Sequence, residues 1–209
     1  MLPSLAAALV ALGLAACGDD DDPSPAGDSG CERVEEPSPK EVSLGRPTQE
    51  VRPGQRLTAT VETSCGEFEI ALATTQAPKT TNSFAHLVRQ GFYAGLSFNY
   101  VKPEFIQGGD PSGDRTGDPG YFVDEPPPQN LAYTKGTVAM AKTPVEPPGR
   151  SGSQFFVVTA ADAGLHPDYA LLGRIARGLD VTERIAALAS PSGQPEQVVL
   201  IERINLRPG

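Results

Sequence analysis

Residues 97–121 read SFNYVKPEFIQGGDPSGDRTGDPGY, from Ser97 to Tyr121. The stretch opens as a strand, because Phe98, Tyr100 and Val101 favour an extended, half-buried backbone. It then breaks into glycines at 108, 109, 113, 117 and 120, mixed with aspartates and prolines. That composition calls for positive φ values, which glycine adopts without a Cβ clash. A stiff strand emptying into a long loop is a common frame for a binding site. Spacing excludes the commonest ligands for such a loop. It is not G-x-x-x-x-G-K-[ST], and no amphipathic helix follows to aim its N-terminus at a phosphate. Asp110, Ser112 and Asp114 imitate the start of a calcium loop, but Arg115 stands where glycine is needed and Tyr121 where a bidentate glutamate is needed.

Composition narrows the class further. The chain has 209 residues, 22 Gly, 21 Pro, no Trp and a formal net charge of −9. The length suits one domain with appendages, and the Pro and Gly content favours a loop-rich, mainly β fold. The acidic balance excludes nucleic acid as a partner, since phosphate binding needs clustered Lys and Arg. With two histidines and no C-x-x-C, a metal centre is not expected. Gly149-Arg150-Ser151-Gly152-Ser153 is not G-x-S-x-G, so no serine hydrolase is indicated.

Around the opening stretch, Leu57, Ala59, Val61 and Thr63 alternate with polar residues, as do Phe68, Ile70 and Leu72. Ser64, Cys65 and Gly66 between them predict a hairpin turn. Pro78 opens a helix whose Phe84, Leu87 and Val88 form one apolar stripe, stopped at Gly91. His86 lies off that stripe and is read as a surface residue. Strands are expected over 136–141, 153–159, 169–174 and 197–206. A second helix over 180–189 has Asp180 and Glu183 as a capping-box-like start. Many short strands with two helices predict a closed antiparallel β-barrel with helices covering its ends.

The N-terminal segment reads as a leader. Residues 5–14 are apolar but too few to span a bilayer, and Leu14-Ala15-Ala16-Cys17 follows. The ending resembles the lipobox of bacterial lipoproteins, which implies a signal peptide over 1–16, lipidation of Cys17 and an extracytoplasmic, membrane-anchored protein. Residues 17–56, rich in Asp, Pro, Ser and Glu, are expected to be a disordered tether, and 57–209 the folded domain. Setting Cys17 aside leaves Cys31 and Cys65 as an even pair, for which a disulfide is the default outside the cytoplasm.

One resemblance ties these pieces together. Thr63-Ser64-Cys65-Gly66-Glu67, Ala77-Pro78-Lys79-Thr80-Thr81-Asn82-Ser83-Phe84, Gly91-Phe92-Tyr93-Ala94-Gly95-Leu96-Ser97-Phe98, Gln107-Gly108-Gly109-Asp110-Pro111, Gly117-Asp118-Pro119-Gly120-Tyr121 and Gly152-Ser153-Gln154-Phe155-Phe156 occur in order. The chain from about Leu57 to near its end resembles cyclophilin-type peptidyl-prolyl cis-trans isomerases. The resemblance implies a closed eight-stranded antiparallel barrel capped by two α-helices, a monomer, no cofactor and no metal. It implies binding of proline-containing segments, which the leader makes those of exported proteins. Phe105, Phe156 and Leu165 would form the proline pocket, with Tyr169 beside them, while Gln107 and Gln154 orient the substrate backbone. Ala141 and Lys142 would line the groove for the residue before proline.

The chemistry suits such a residue set. An Xaa-Pro bond prefers trans only weakly but rotates slowly, over a barrier of about 18–20 kcal/mol. Lowering it requires no nucleophile and no metal. In the twisted amide the nitrogen regains its lone pair, so a donor aimed at it acts most strongly in the transition state. Family members usually carry F-H-R-x-x-P-G-F-x-x-Q-G-G-D here, whose arginine is that donor. This chain places Tyr100 at the arginine position and Asn99 before it, or Asn99 there if the gap is shifted, and has one residue fewer between Phe105 and Gln107. Tyrosine is a neutral donor, and charge-assisted bonds are roughly twice as strong. A loss of about 2–4 kcal/mol in the transition state lowers the rate on the order of 10²- to 10³-fold. Two readings follow: an exported isomerase of reduced activity with Tyr100, Phe105 and Gln107 at its catalytic centre, or a non-catalytic proline-peptide binding module of the same fold.

Overall fold

The computed structural model describes Met1 and residues 29–209; residues 2–28, which hold most of the expected leader and Cys17, lie outside the described residues. Period-two alternation builds the first hairpin. Strands β1 (Leu57–Thr63) and β2 (Gly66–Leu72) pair antiparallel, with Val61 opposite Phe68 and Ala59 opposite Ile70. All four side chains are fully buried. Helix α1 (Pro78–Arg89) follows, with proline in its first turn and Phe84, Leu87 and Val88 turned to the core. The remaining elements are β3 (Leu96–Ser97), β4 (Tyr100–Val101), β5 (Phe105–Gly108), β6 (Val123–Asp124), β7 (Thr137–Met140), β8 (Arg150–Ser151), β9 (Phe155–Val158), β10 (Leu171–Arg177), helix α2 (Leu179–Ala186) and β11 (Leu200–Pro208).

Nine strands form one antiparallel sheet in the order β3-β11-β1-β2-β10-β7-β9-β5-β4, and β6 pairs with β8 apart from it. The expected closed eight-stranded barrel is therefore corrected to a curled half-barrel of nine strands. The reason lies at Phe98 and Asn99, which separate the two end strands β3 and β4. There the chain leaves the ladder, and its donors go to the segment before β11. Phe98 N–H bonds the Val199 carbonyl at 2.9 Å and Val101 N–H the Gly193 carbonyl at 2.7 Å. The ends of the sheet are covered, but not by each other.

The curl encloses an aromatic core. Phe68, Phe84, Tyr93, Phe98 and Phe155 meet with ring centroids 5.2 to 6.3 Å apart, and burying each ring contributes about 1.5–3 kcal/mol. Strand β9 serves two clusters at once. Phe155 and Val157 enter this core, while Phe156 and Val158 join Tyr133 and Ala139 on the opposite face. That second face becomes the floor of the groove described below.

Two local expectations change. Helix α2 starts at Gly178, in the left-handed region at φ 73°, with no side-chain cap. Asp180 and Glu183 do not form a capping box; they pair with Arg184 at 3.5 Å and Lys135 at 2.7 Å. A Cβ on residue 178 would stand 2.4 Å from the Glu67 carbonyl oxygen, so the helix begins where only glycine fits.

The larger change concerns residues 29–56. Composition assigns them to a disordered tether, yet from residue 29 the chain lies along the domain as a strap without helix or strand. Cys31 is bonded to Cys65, and Glu32 N–H donates to the Ser64 carbonyl at 2.6 Å. Asn82 of α1 clamps the far end: its Oδ1 accepts from the Glu50 and Val51 N–H groups at 2.7 and 2.8 Å, and its Nδ2 donates to the Thr48 carbonyl at 2.9 Å. Val51 is buried. His86, expected on the free surface, is instead paired with Glu50 at 2.6 Å, and Arg89 meets the same carboxylate at 2.6 Å. Burial alone would raise the Glu50 pKa, but the hydrogen bonds from Arg89 and His86 outweigh it and hold the carboxyl below its usual range. Polar composition does not disorder a segment whose partners lie on the domain it crosses.

Candidate active site

Four strands bring the groove residues into one row. Tyr100 on β4 lies opposite Gln107 on β5; Gln107 lies opposite Phe156 on β9, and Phe156 opposite Ala139 on β7. Opposed residues of antiparallel strands share a face, so Tyr100, Gln107 and Phe156 look into the same space. Along β5, Ile106 and Gly108 are buried while Phe105 and Gln107 are half-exposed. With a single residue between them, strict alternation puts Phe105 and Gln107 on one face. The register also places Tyr100, not Asn99, across from Gln107.

The resulting groove has a volume of about 720 Å³, and its lining includes Tyr100, Phe105, Gln107, Ala141, Lys142, Gln154, Phe156, Leu165 and Tyr169. Asn99 is the exception. It faces the other side, where its Nδ2 donates to Asp110 Oδ2 at 3.0 Å, so it serves the loop and not the groove. Aromatic rings pave the floor: Tyr100 to Phe105 5.6 Å, Phe105 to Phe156 5.8 Å, Phe156 to Tyr169 5.4 Å and Tyr169 to Tyr133 5.9 Å between centroids. The Tyr133 hydroxyl donates to the Tyr169 carbonyl at 2.6 Å and accepts from the Tyr169 N–H at 3.0 Å. Burial pushes the Tyr133 phenol up to about 12. Burial, with the nearby Asp168 charge, also raises Tyr169.

Amides form the polar rim. Gln107 Nε2 donates to Gln154 Oε1 at 3.0 Å, and Gln154 Nε2 donates to the Arg115 and Gly117 carbonyls at 3.2 and 3.0 Å. Gln154 thus ties the strand face to the glycine-rich loop. Lys142 Nζ donates to the Thr143 and Glu146 carbonyls, both at 3.1 Å, and lies 5.5 Å over the Tyr169 ring. Arg150 forks onto Asp124 at 2.9 and 3.1 Å. That bond to Arg150 holds Asp124 below the usual carboxylate range.

The loop is organised by Asp110, which is 3% exposed. Its two oxygens accept from the Asn99 amide, the Ser112 N–H and hydroxyl, the Arg115 N–H and the Gly117 N–H, at 2.5 to 3.1 Å. Only three of the five glycines adopt positive φ: Gly109, Gly113 and Gly120. Gly108 and Gly117 are needed for space instead, since a Cβ would stand 2.8 Å from the Ser97 carbonyl oxygen and 2.5 Å from Asp110 Oδ1. One positive φ falls on Arg115, at 74°. Its guanidinium carbon lies 4.6 Å from the Tyr100 ring centroid, and it lines the groove with Asp114, Thr116 and Phe122. Sequence reading passed over this residue as a site candidate. Its one signal was an arginine set among glycines, where the calcium-loop spacing demanded a glycine.

An apolar floor under an amide rim fits the rotation of a prolyl amide. Comparison with known proteins agrees. The family description "Cyclophilin type peptidyl-prolyl cis-trans isomerase/CLD" matches residues 58–206. Peptidyl-prolyl cis-trans isomerase-like 1 of Homo sapiens is 35% identical over 137 residues, covering 63% of this chain and 81% of that protein. The probable peptidyl-prolyl cis-trans isomerase B of Mycobacterium tuberculosis is 33% identical over 195 residues, covering 81% of this chain and 62% of the relative. Among solved structures, the Cryptosporidium parvum cyclophilin type peptidyl-prolyl cis-trans isomerase superposes with a TM-score of 0.68 at 26% identity, covering 74% of this chain and 99% of that one. The chain belongs to the cyclophilin-type peptidyl-prolyl cis-trans isomerase family.

Proposed function

We propose that this protein accelerates cis–trans rotation about Xaa-Pro bonds in exported proteins, held at a membrane by lipid on Cys17. The observation that carries the reading is the row formed by Tyr100, Gln107 and Phe156, flanked by Phe105 and Gln154 around one groove. Phe105, Phe156 and Leu165 would receive the proline ring. Gln107 and Gln154 would hold flanking peptide groups, while Ala141 and Lys142 face the residue before proline. The Cryptosporidium parvum relative has been solved in the presence of the dipeptide Ala-Pro, and that structure superposes with a TM-score of 0.66 at 26% identity. The anchored location is supported by the Leu14-Ala15-Ala16-Cys17 sequence and by the Cys31–Cys65 bond, since such bonds persist outside the reducing cytoplasm.

The test is exchange NMR on an Ala-Pro peptide with a catalytic amount of the full chain. The expected result is faster cis–trans exchange, lost in the Phe105→Ala variant. Peptide binding without faster exchange would overturn catalysis in favour of a non-catalytic proline-peptide module.

A further inference from the structure

Apart from Arg115, the amide and cationic side chains of the groove already donate to protein acceptors, and among the described residues the donors left over are the neutral Tyr100 and Tyr169 hydroxyls. Gln107 donates to Gln154, Gln154 to two loop carbonyls, Lys142 to two carbonyls and Arg150 to Asp124. Among the described residues lining the groove, Arg115 is the one cation whose guanidinium meets neither a carboxylate nor a hydrogen-bond acceptor. It rests over the face of Tyr100 at 4.6 Å. Contact through the π surface leaves the N–H donors available to another acceptor. Tyr100 in turn lies opposite Gln107 and 5.6 Å from Phe105, so the cation overhangs the apolar floor.

The backbone at 115 is fixed to hold it there. Arg115 is the only non-glycine residue with positive φ among the described residues, a conformation that a Cβ disfavours. Asp110 Oδ2 accepts its N–H at 2.5 Å and Gln154 donates to its carbonyl at 3.2 Å. Strain held in place by surrounding bonds is a feature of functional sites.

We propose that Arg115 is a catalytic residue of the isomerisation, donating to the prolyl nitrogen of the twisted amide from its seat on Tyr100. The inference rests on the isomerase reading of the groove. No σ bond forms or breaks: rotation returns the lone pair to nitrogen, the guanidinium N–H bonds to it, and the bond lapses as planarity returns. Arginine keeps its proton throughout. Tyr100 then supplies a platform, and the charged donor arrives from the loop rather than from the strand.

Wild type, Arg115→Gly and Arg115→Lys are compared as full chains by exchange NMR and by peptide titration. Glycine adopts φ 74° freely, so Arg115→Gly is expected to melt no lower than wild type. Its kcat/KM is expected to fall about 100-fold, with peptide Kd within about threefold. Arg115→Lys should stay at least about tenfold down, because an ammonium neither stacks flat nor offers a fork of donors. Exchange retained within about threefold in Arg115→Gly overturns the assignment, and so does a matching loss in Kd, which would mark a binding contact only. An inactive wild type overturns both this assignment and the isomerase reading; an active wild type beside an equally active Arg115→Gly overturns this assignment alone.

Discussion

Reducing the Cys31–Cys65 bond should destabilise the domain moderately and release the strap, and the size of each effect follows from what else holds residues 29–56. The bond closes a loop with a sequence separation of 34. Loop-closure entropy in the unfolded chain then gives a ceiling of about 4 kcal/mol at 25 °C. The native state returns part of that. Between Cys31 and the Asn82 clamp at Thr48 the strap is held by scattered single bonds: Glu32 N–H to the Ser64 carbonyl, Lys40 N–H to the Pro111 carbonyl, Leu44 N–H to the Pro119 carbonyl, Gln197 Nε2 to the Cys31 and Glu32 carbonyls, Lys40 Nζ to the Ala94 carbonyl and Arg46 to the Phe122 carbonyl, with the side chains of Val42 and Leu44 packed on the core. Each hydrogen bond is worth about 0.5–1.5 kcal/mol net, against about 1–2 kcal/mol of backbone entropy for every residue held in place. Without the covalent bond, residues 29–47 therefore detach and regain entropy, while Val51 and the Glu50 pairing keep residues 48–56 in place.

The expected loss is about 2–3 kcal/mol, which for a domain of this size lowers Tm by about 5–10 °C. Thermal melts with and without reductant measure it, with the Cys31→Ser/Cys65→Ser double variant as control. Brief trypsin treatment reads the strap directly. Arg33 and Lys40 should become cleavable only after reduction, while the core fragment survives. The reasoning is refuted if complete reduction moves Tm by less than about 2 °C and leaves Arg33 and Lys40 protected, because the strap would then be held by its polar anchors alone.

Alkaline pH probes the groove floor. The Tyr133 phenol sits at about 12 in the fold against 10.0 in the free side chain, so its neutral form is the one the fold favours. The contribution is fully present below pH 10 and is lost as pH rises towards 12. Urea midpoints of wild type should fall through this window more steeply than those of Tyr133→Phe, and parallel curves would refute the assignment. At the N-terminus, the anchored reading predicts that the full chain enters the detergent phase on expression in an exporting host and that Cys17→Ser does not; equal partitioning of the two would refute lipidation.

What could be read from the sequence was local. Alternation placed β1 and β2, the i, i+3, i+4 stripe placed α1, and the paired aromatics of β9 were visible in Phe155 and Phe156. The groove residues carried by the family motifs, Phe105, Gln107, Gln154 and Phe156, meet in one place because each motif lies on a strand whose register follows from its own pattern. The misses share a different cause. The strap is disordered by composition, but its partners, Cys65, Asn82 and His86, lie 31 to 36 positions away. The open seam of the sheet depends on where Phe98 and Val101 send their N–H groups, to residues 199 and 193. The start of α2 depends on the Glu67 carbonyl, which leaves room for nothing larger than glycine at 178. None of these partners can be found from periodicity, because each is set by the fold already formed.

The strand and the loop also have to be weighed together. Taken alone, Tyr100 reads as a lost cation, and the expected outcome is a weakened or silent isomerase. Yet a glycine at 115 would hold φ 74° without strain, whereas an arginine there costs on the order of 1–2 kcal/mol. The backbone bonds to Asp110 and Gln154 offset that cost, and they would serve a glycine equally well. The side chain is therefore not what the loop requires for its shape. What it adds is a charge over the Tyr100 ring on the groove side; the other cation at that ring, the Lys102 ammonium at 5.6 Å, donates to the Pro191 carbonyl and does not line the groove. Tyrosine at 100 and arginine at 115 are best understood as one unit: the ring is a seat that a strand arginine would have filled, and the loop arginine needs a flat apolar surface to rest on. Tyr100→Arg is therefore expected not to raise activity, because two guanidinium groups would contest one site and repel. An increase in kcat/KM for that variant would show that the two positions act separately.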